Sequence, residues 1–216
     1  MQIKLSNLIS FVVILFSFGI ALYFYPNFPD TIITHWGSQG EPNGQSSKVF
    51  GLFFMPVFIA FITGLFLLIP KIDPLKKNIE SFQNSFDWFI VVFNVFMFYI
   101  YILTVAWNAG YSFNMIKFFA PAMALLFYYI GILMVKAKRN YFIGIRTPWT
   151  LANDKVWEKT HKLGGLLFKI SGLVILLVFY NTCLGLVAFM AYLILISLFL
   201  VIYSYYEHSK LKNTNN

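Results

Sequence analysis

The chain is short of cysteine, of acids and of charge in general. A single cysteine, Cys183, stands among 216 residues, which excludes an internal disulfide and a thiolate-rich metal centre. We place it at the end of a span, where a small apolar thiol needs no function. Charged side chains make up 11% of the residues, against roughly a quarter in soluble globular chains, so an ordinary soluble domain is excluded. Acids number 8 against 16 basic residues. No nucleophile–base pair, phosphate loop or nucleotide fingerprint is present, so classical catalysis has no support and no cofactor is expected. The basic residues do not gather into one groove, as direct nucleic-acid binding would need.

What fills the chain is apolar surface. Hydrophobic residues account for 59% and aromatics for 20%, with a mean hydropathy of +0.73. Runs of about twenty apolar residues match the length that crosses a bilayer core. Six can be read: 5–25, 51–69, 88–107, 115–135, 166–180 and 184–203. The first has no small-residue cleavage site after it and ends in Tyr23, Phe24, Tyr25 and Pro26, an interfacial anchor in place of a cleaved signal. The fold class is therefore all-α: a polytopic membrane protein in the lipid bilayer with six transmembrane helices. We divide it into an N-terminal half, 1–135, with four spans and a polar loop at 26–50, and a C-terminal half, 136–216, with a motif loop at 136–165 and two spans.

An even number of spans puts both termini on one side. That side collects Lys4, Lys71, Lys76, Lys77, Lys136, Lys138, Arg139, Arg146, Lys155, Lys159, Lys162, Lys210 and Lys212, against Lys48 and Lys117 opposite and Lys169 inside a span. The positive-inside rule makes that side the cytoplasm. The 26–50 loop then faces outward. Its glycine and proline density predicts a compact loop with turns at Gly40 and at Asn43-Gly44. It carries Asp30, His35, Trp36, Glu41 and Lys48, candidates for a ligand site. One histidine and two carboxylates are a workable metal set, but no histidine pair at ligand spacing supports it, so no metal is expected. Asn94 is expected to hydrogen-bond between helices, and Asp87 to be solvated at the cytoplasmic start of the third span.

The motif loop is the longest polar and basic segment. Thr147 before Pro148 is biased to extended backbone. Thr150 or Asn153 can then cap a short surface helix with Asp154 in its first turn, ended or kinked by Gly164-Gly165. Trp157 and His161, four apart, share one face, while Lys155, Lys159 and Lys162 lie mostly on another. Lipid headgroups suit the basic face and the interface suits the indole. Arg146 has two readings: pairing with Asp154 or Glu158 or clamping an anion, or anchoring to lipid phosphate.

The run Asn140-Tyr-Phe-Ile-Gly-Ile-Arg-Thr-Pro-Trp-Thr-Leu151, with Val156-Trp157 and Thr160-His161, resembles the signature of the SdpI family. These are bacterial membrane immunity proteins against a secreted toxin peptide. Pro29, His35-Trp36, Gly40-Glu41-Pro42 and Lys48 resemble the N-terminal membrane domain of unknown function common in the family. The resemblance implies immunity to an extracellular toxin peptide. It also implies a signalling role, in which a cytoplasmic ArsR-like repressor is held at the membrane by Asn140, Gly144, Arg146, Thr147, Pro148, Trp149, Thr150, Trp157 and His161. Gly165 and Gly172, seven apart, place two small residues on one face for close helix contact; the alternatives are a small-solute transporter or channel, in which they, Asn94 and Pro56 would line a path, and a membrane enzyme with an outer-loop metal site.

Overall fold

The computed structural model describes residues 4–181 and 185–214; Cys183 and the turn around it lie outside them. Helix α1 spans Leu5–Phe24, followed by strands β1 (Thr31–Trp36) and β2 (Pro42–Ser47). Next come α2 (Lys48–Ile72), the short α3 (Lys76–Glu80), α4 (Gln83–Asn108) and α5 (Met115–Lys136). A single-turn α6 (Pro148–Ala152) precedes α7 (Asp154–Asn181) and α8 (Gly185–Thr214). Six of these helices are long and apolar enough to cross a membrane. At about 1.5 Å per residue each covers the hydrocarbon thickness, with its backbone groups paired internally as lipid requires. The chain is thus a multi-pass membrane protein, almost wholly helical.

The helices form two groups. α1 packs on α2 and α4, and α2 on α4; α5 packs along α7, and α7 on α8. α4 against α5 joins the groups. In the second group the contact runs through small residues. A Cβ on Gly165 would lie 2.6 Å from the Gly131 carbonyl, and one on Gly172 would lie 2.7 Å from the Ala124 carbonyl. These glycines pack a helix seam and do not line a path.

This packing overturns the surface helix expected from the motif. α7 runs unbroken through Gly164-Gly165. In water a glycine pair ends helices, but here the pair admits α5 and Ile145 at close range, and the helix continues because bilayer backbone must stay bonded.

The 26–50 segment has the expected turn at Gly40 but is more regular than the compact loop expected. It forms an antiparallel hairpin with Thr31 opposite Ser47 and Trp36 opposite Pro42. The turn is at 37–41, where Gly37 N–H donates to Glu41 C=O at 2.8 Å and Gly40 adopts φ +84°. Asn43-Gly44 sits inside β2, not at a turn.

A polar row recurs every seventh residue of α4: Asp87, Asn94, Tyr101 and Asn108. Asp87 is 5% exposed, not solvated. Its carboxylate meets Lys4 Nζ at 2.7 Å and accepts from Gln83 Nε2 at 2.6 Å, because α4 begins a turn earlier, at Gln83, and closes over it. Asn94 Oδ1 lies 3.1 Å from Thr63 Oγ1 on α2, the interhelical bond expected of it.

Candidate functional site

The motif loop between α5 and α7 is organised by one carboxamide. Asn140 is fully buried. Its Nδ2 donates to the Lys138 and Ile143 carbonyls at 2.8 and 3.0 Å, and its Oδ1 accepts from Phe142 and Ile143 N–H at 2.9 and 2.6 Å. An aspartate could accept but not donate there, which is the chemical reason for asparagine.

From this core the loop reaches both helix groups. Toward the first, Tyr141 N–H donates to Asp73 Oδ2 at 2.8 Å and Asn78 Nδ2 donates to the Arg139 carbonyl at 2.8 Å. Toward the second, Trp157 Nε1 donates to the Ala137 carbonyl at 2.8 Å, and Thr147 Oγ1 meets Ser204 Oγ on α8 at 2.9 Å. His161 stacks on Trp157 with ring centroids 3.9 Å apart. Its Nδ1 lies 2.8 Å from the Trp157 carbonyl and its Nε2 accepts from Ile145 N–H at 2.9 Å. One nitrogen must donate while the other accepts, so the bonds select the neutral Nδ1–H tautomer. Gly144 has φ +112°, and a side chain there would run into the His161 ring. Glycine is required twice over.

Thr147 opens α6 with a capping box: its Oγ1 accepts from Thr150 N–H at 3.1 Å, and Thr150 Oγ1 accepts from Thr147 N–H at 2.9 Å. Asn153 then caps α7, its Oδ1 accepting from Lys155 N–H at 2.8 Å, with Asp154 in the first turn as expected.

Five of the nine motif residues singled out for a partner are therefore buried: Asn140, Thr147, Thr150, Trp157 and His161. Trp157 is not an interfacial indole but a core residue beside Phe82, Phe86 and Leu133. Lys155, Lys159 and Lys162 do lie on the exposed face of α7. Arg146 is exposed and donates to the Tyr141 carbonyl at 2.7 Å. The ion pair to Asp154 belongs to Arg139, whose Nε lies 2.8 Å away off the N–H axis while its Nη1 donates to the Leu151 carbonyl at 2.9 Å. Arg139 and not Arg146 holds that acid because it stands on the α5 side of the loop, opposite the start of α7. The surface left to a partner is Arg146, Pro148 and Trp149, flanked by Tyr141 and Phe142.

The hairpin has its own anchors. Asn108 at the end of α4 exchanges two hydrogen bonds with the Ile33 backbone, each 2.8 Å. Asn114 before α5 donates to the Gln39 carbonyl at 2.6 Å. Trp36 meets Trp107 edge-on at 6.1 Å. The outer ligand candidates are spread among different partners. Asp30 pairs with Lys48 at 3.1 Å, His35 Nδ1 lies 2.5 Å from Asn43 Oδ1, and Glu41 packs on Gly37. Among the described residues no three His, Cys, Asp or Glu side chains gather as a metal site would need. The anchors Asp73, Asn78, Asn108, Asn114 and Ser204 were not singled out from the sequence. Their one visible signal was a polar side chain at or beside a span end.

The hairpin belongs to the first group and reaches over to α5. The motif loop belongs to the second and reaches back to α2 and α3. Each group thus fastens the other, at opposite ends of the bundle.

Residues 136–205 match the SdpI/YfhL protein family, and residues 12–60 match a domain of unknown function, DUF1648. The chain is also similar along its length to immunity protein SdpI of Bacillus subtilis (strain 168). Identity is 25% over 213 residues, 97% of this chain and 99% of that protein. No solved structure matches.

Proposed function

We propose that this chain, a member of the SdpI family, is an integral-membrane immunity protein that protects its cell from an extracellular peptide toxin. The observation that carries the reading is the end-to-end match to an immunity protein, which takes in the hairpin, the motif loop and all six spans. The charge distribution supports the orientation, with both termini and the motif loop cytoplasmic and the hairpin outside. The hairpin is then the first polar surface a toxin meets.

The motif loop serves signalling in this reading. Its buried residues hold the two helix groups together, and Arg146 with Trp149, Tyr141 and Phe142 presents a basic, aromatic face to a cytoplasmic repressor. Arginine and aromatics are the side chains that anchor protein contacts best.

The test is complementation. Bacillus subtilis deprived of its immunity protein SdpI is grown beside its unmodified parent, with and without this chain. Restored survival is expected; survival no better than in cells lacking the chain rejects the reading.

A further inference from the structure

The two edges of the outer hairpin differ. On β1, Asn108 holds both the N–H and the C=O of Ile33, so a carboxamide stands where a neighbouring strand would. The same contact reveals how the ladder alternates. Opposite residues of an antiparallel pair exchange either two backbone bonds or none, in turn. Ile33 faces Gln45 but gives its backbone groups to Asn108, so this pair is of the unbonded kind. In agreement, Lys48 N–H donates to the Asp30 carbonyl at 2.8 Å, three positions along, where a bonded pair falls. The N–H and C=O of Gln45 therefore point away from β1, onto the open edge of β2, and the N–H of Ser47 points with them.

Gln45 is exposed, as are Asn43 and Ser47. Free edges are ordinarily guarded by lysine, proline or a bulge. One bulge falls on β1, between Ile33 and His35, and one on β2, at Asn43, which leaves Gln45 to Ser47 in regular register; β2 has no charged residue, and its only proline is Pro42, at the far end. The hairpin is also held at two helices, through Asn108 and Asn114. An edge fixed in this way loses little freedom on pairing.

We propose that the free edge of β2 takes up an extended segment of the toxin peptide as an added strand, bonded at Gln45 and Ser47. This rests on the immunity reading and on the outward placement of the hairpin. The chemistry selects the occupant. Two donors and an acceptor at strand spacing, with the nearest charges, Lys48 and Asp30, paired to each other, fit a peptide backbone. A lipid headgroup calls for charge and a small solute for an enclosed pocket. Recognition through the backbone is largely indifferent to side chains, so protection extends to peptides of differing sequence that present an uncharged extended stretch.

The test uses the full chain in the same co-culture. Gln45→Pro removes the outward N–H and spares the ladder to β1, a position where edge strands accept proline. Survival should fall by about tenfold, the worth of a lost hydrogen bond, at an unchanged level of protein in the membrane. Gln45→Lys and Gln45→Glu place guarding charges of either sign on the edge. Both should lower survival, which keeps the test decisive if the proline variant fails to insert. Gln45→Ala keeps the N–H and should protect; loss there would move recognition to the carboxamide and overturn the backbone reading. Undiminished survival with proline, lysine and glutamate alike also overturns it, as does loss with one sign of charge alone. A dimer in detergent that Gln45→Pro turns into monomer would assign the edge to a second copy instead. Failure of the unmodified chain to protect is a different result, which rejects immunity itself and this proposal with it.

Discussion

Asn140 uses every hydrogen-bonding position of its side chain on the loop backbone. Asn140→Ala would strand buried N–H and C=O groups together, and we expect a loss of about 2–4 kcal/mol, from a penalty of roughly 1–3 per unpaired group with partial rehydration. Thermal unfolding in detergent measures it, and a midpoint equal to wild type would mean that the loop does not need this hub. Tyr101 is the opposite case. Its ring is buried and its hydroxyl has no partner among the described residues. Tyr101→Phe removes a desolvated polar atom at no cost in shape, so stability should hold or rise by up to about 1 kcal/mol; a clear loss would reveal a partner for that hydroxyl. At this scale the sequence marks the right residues and misjudges their direction. Trp157 and His161 share a face by helical period, as expected. Whether that face meets lipid or core depends on α5 and the returning loop, which no local pattern encodes.

At the scale of elements, the correction at Gly164-Gly165 leads to a test. Gly131 and Gly165 meet across the α5–α7 seam, and a Cβ on either would press into opposing backbone. Gly165→Leu or Gly131→Val should cost about 1–3 kcal/mol or more, as overpacking does, and lower the unfolding midpoint. Gly19→Ala and Gly64→Ala, with open space around them, should leave it within a few tenths of a kcal/mol or raise it. Equal effects at both sets of sites would refute the close-packed seam. All six spans were legible because length and hydropathy decide them without tertiary help. The hairpin is less legible, although Thr31-Ile-Ile-Thr-His-Trp36 is rich in β-branched and aromatic residues. Its glycines and prolines signal turns more strongly than strands. Its pairing, moreover, relies on Asn108, which lies some sixty residues beyond β2 in the chain. Asn108→Ala should therefore loosen the hairpin while leaving α4 in place, seen as faster backbone exchange at Ile33; unchanged exchange would assign the anchoring elsewhere.

For the whole molecule, the two extramembrane elements lie at opposite ends of the bundle, so orientation decides what each can meet. The basic residues decide orientation. Thirteen, the lysines and arginines named above from Lys4 to Lys212, belong to the termini and to the connections that lie with them, against Lys48 and Lys117 at the other end. Excess positive charge is retained in the cytoplasm during insertion. Reporters fused after Asn27, Leu75, Gly110, Arg139, Cys183 and Asn216 should therefore read outside, inside, outside, inside, outside, inside. The orientation should also survive the loss of any one basic cluster. With Lys71, Lys76 and Lys77 all replaced by glutamine, the motif loop and the C-terminal residues still outweigh Lys48 and Lys117, so the pattern should be unchanged. Inversion by that replacement alone would show that the first connection, and not the summed charge, sets the topology. An inverted pattern in the unmodified chain would put the hairpin in the cytoplasm, where no extracellular peptide could reach β2.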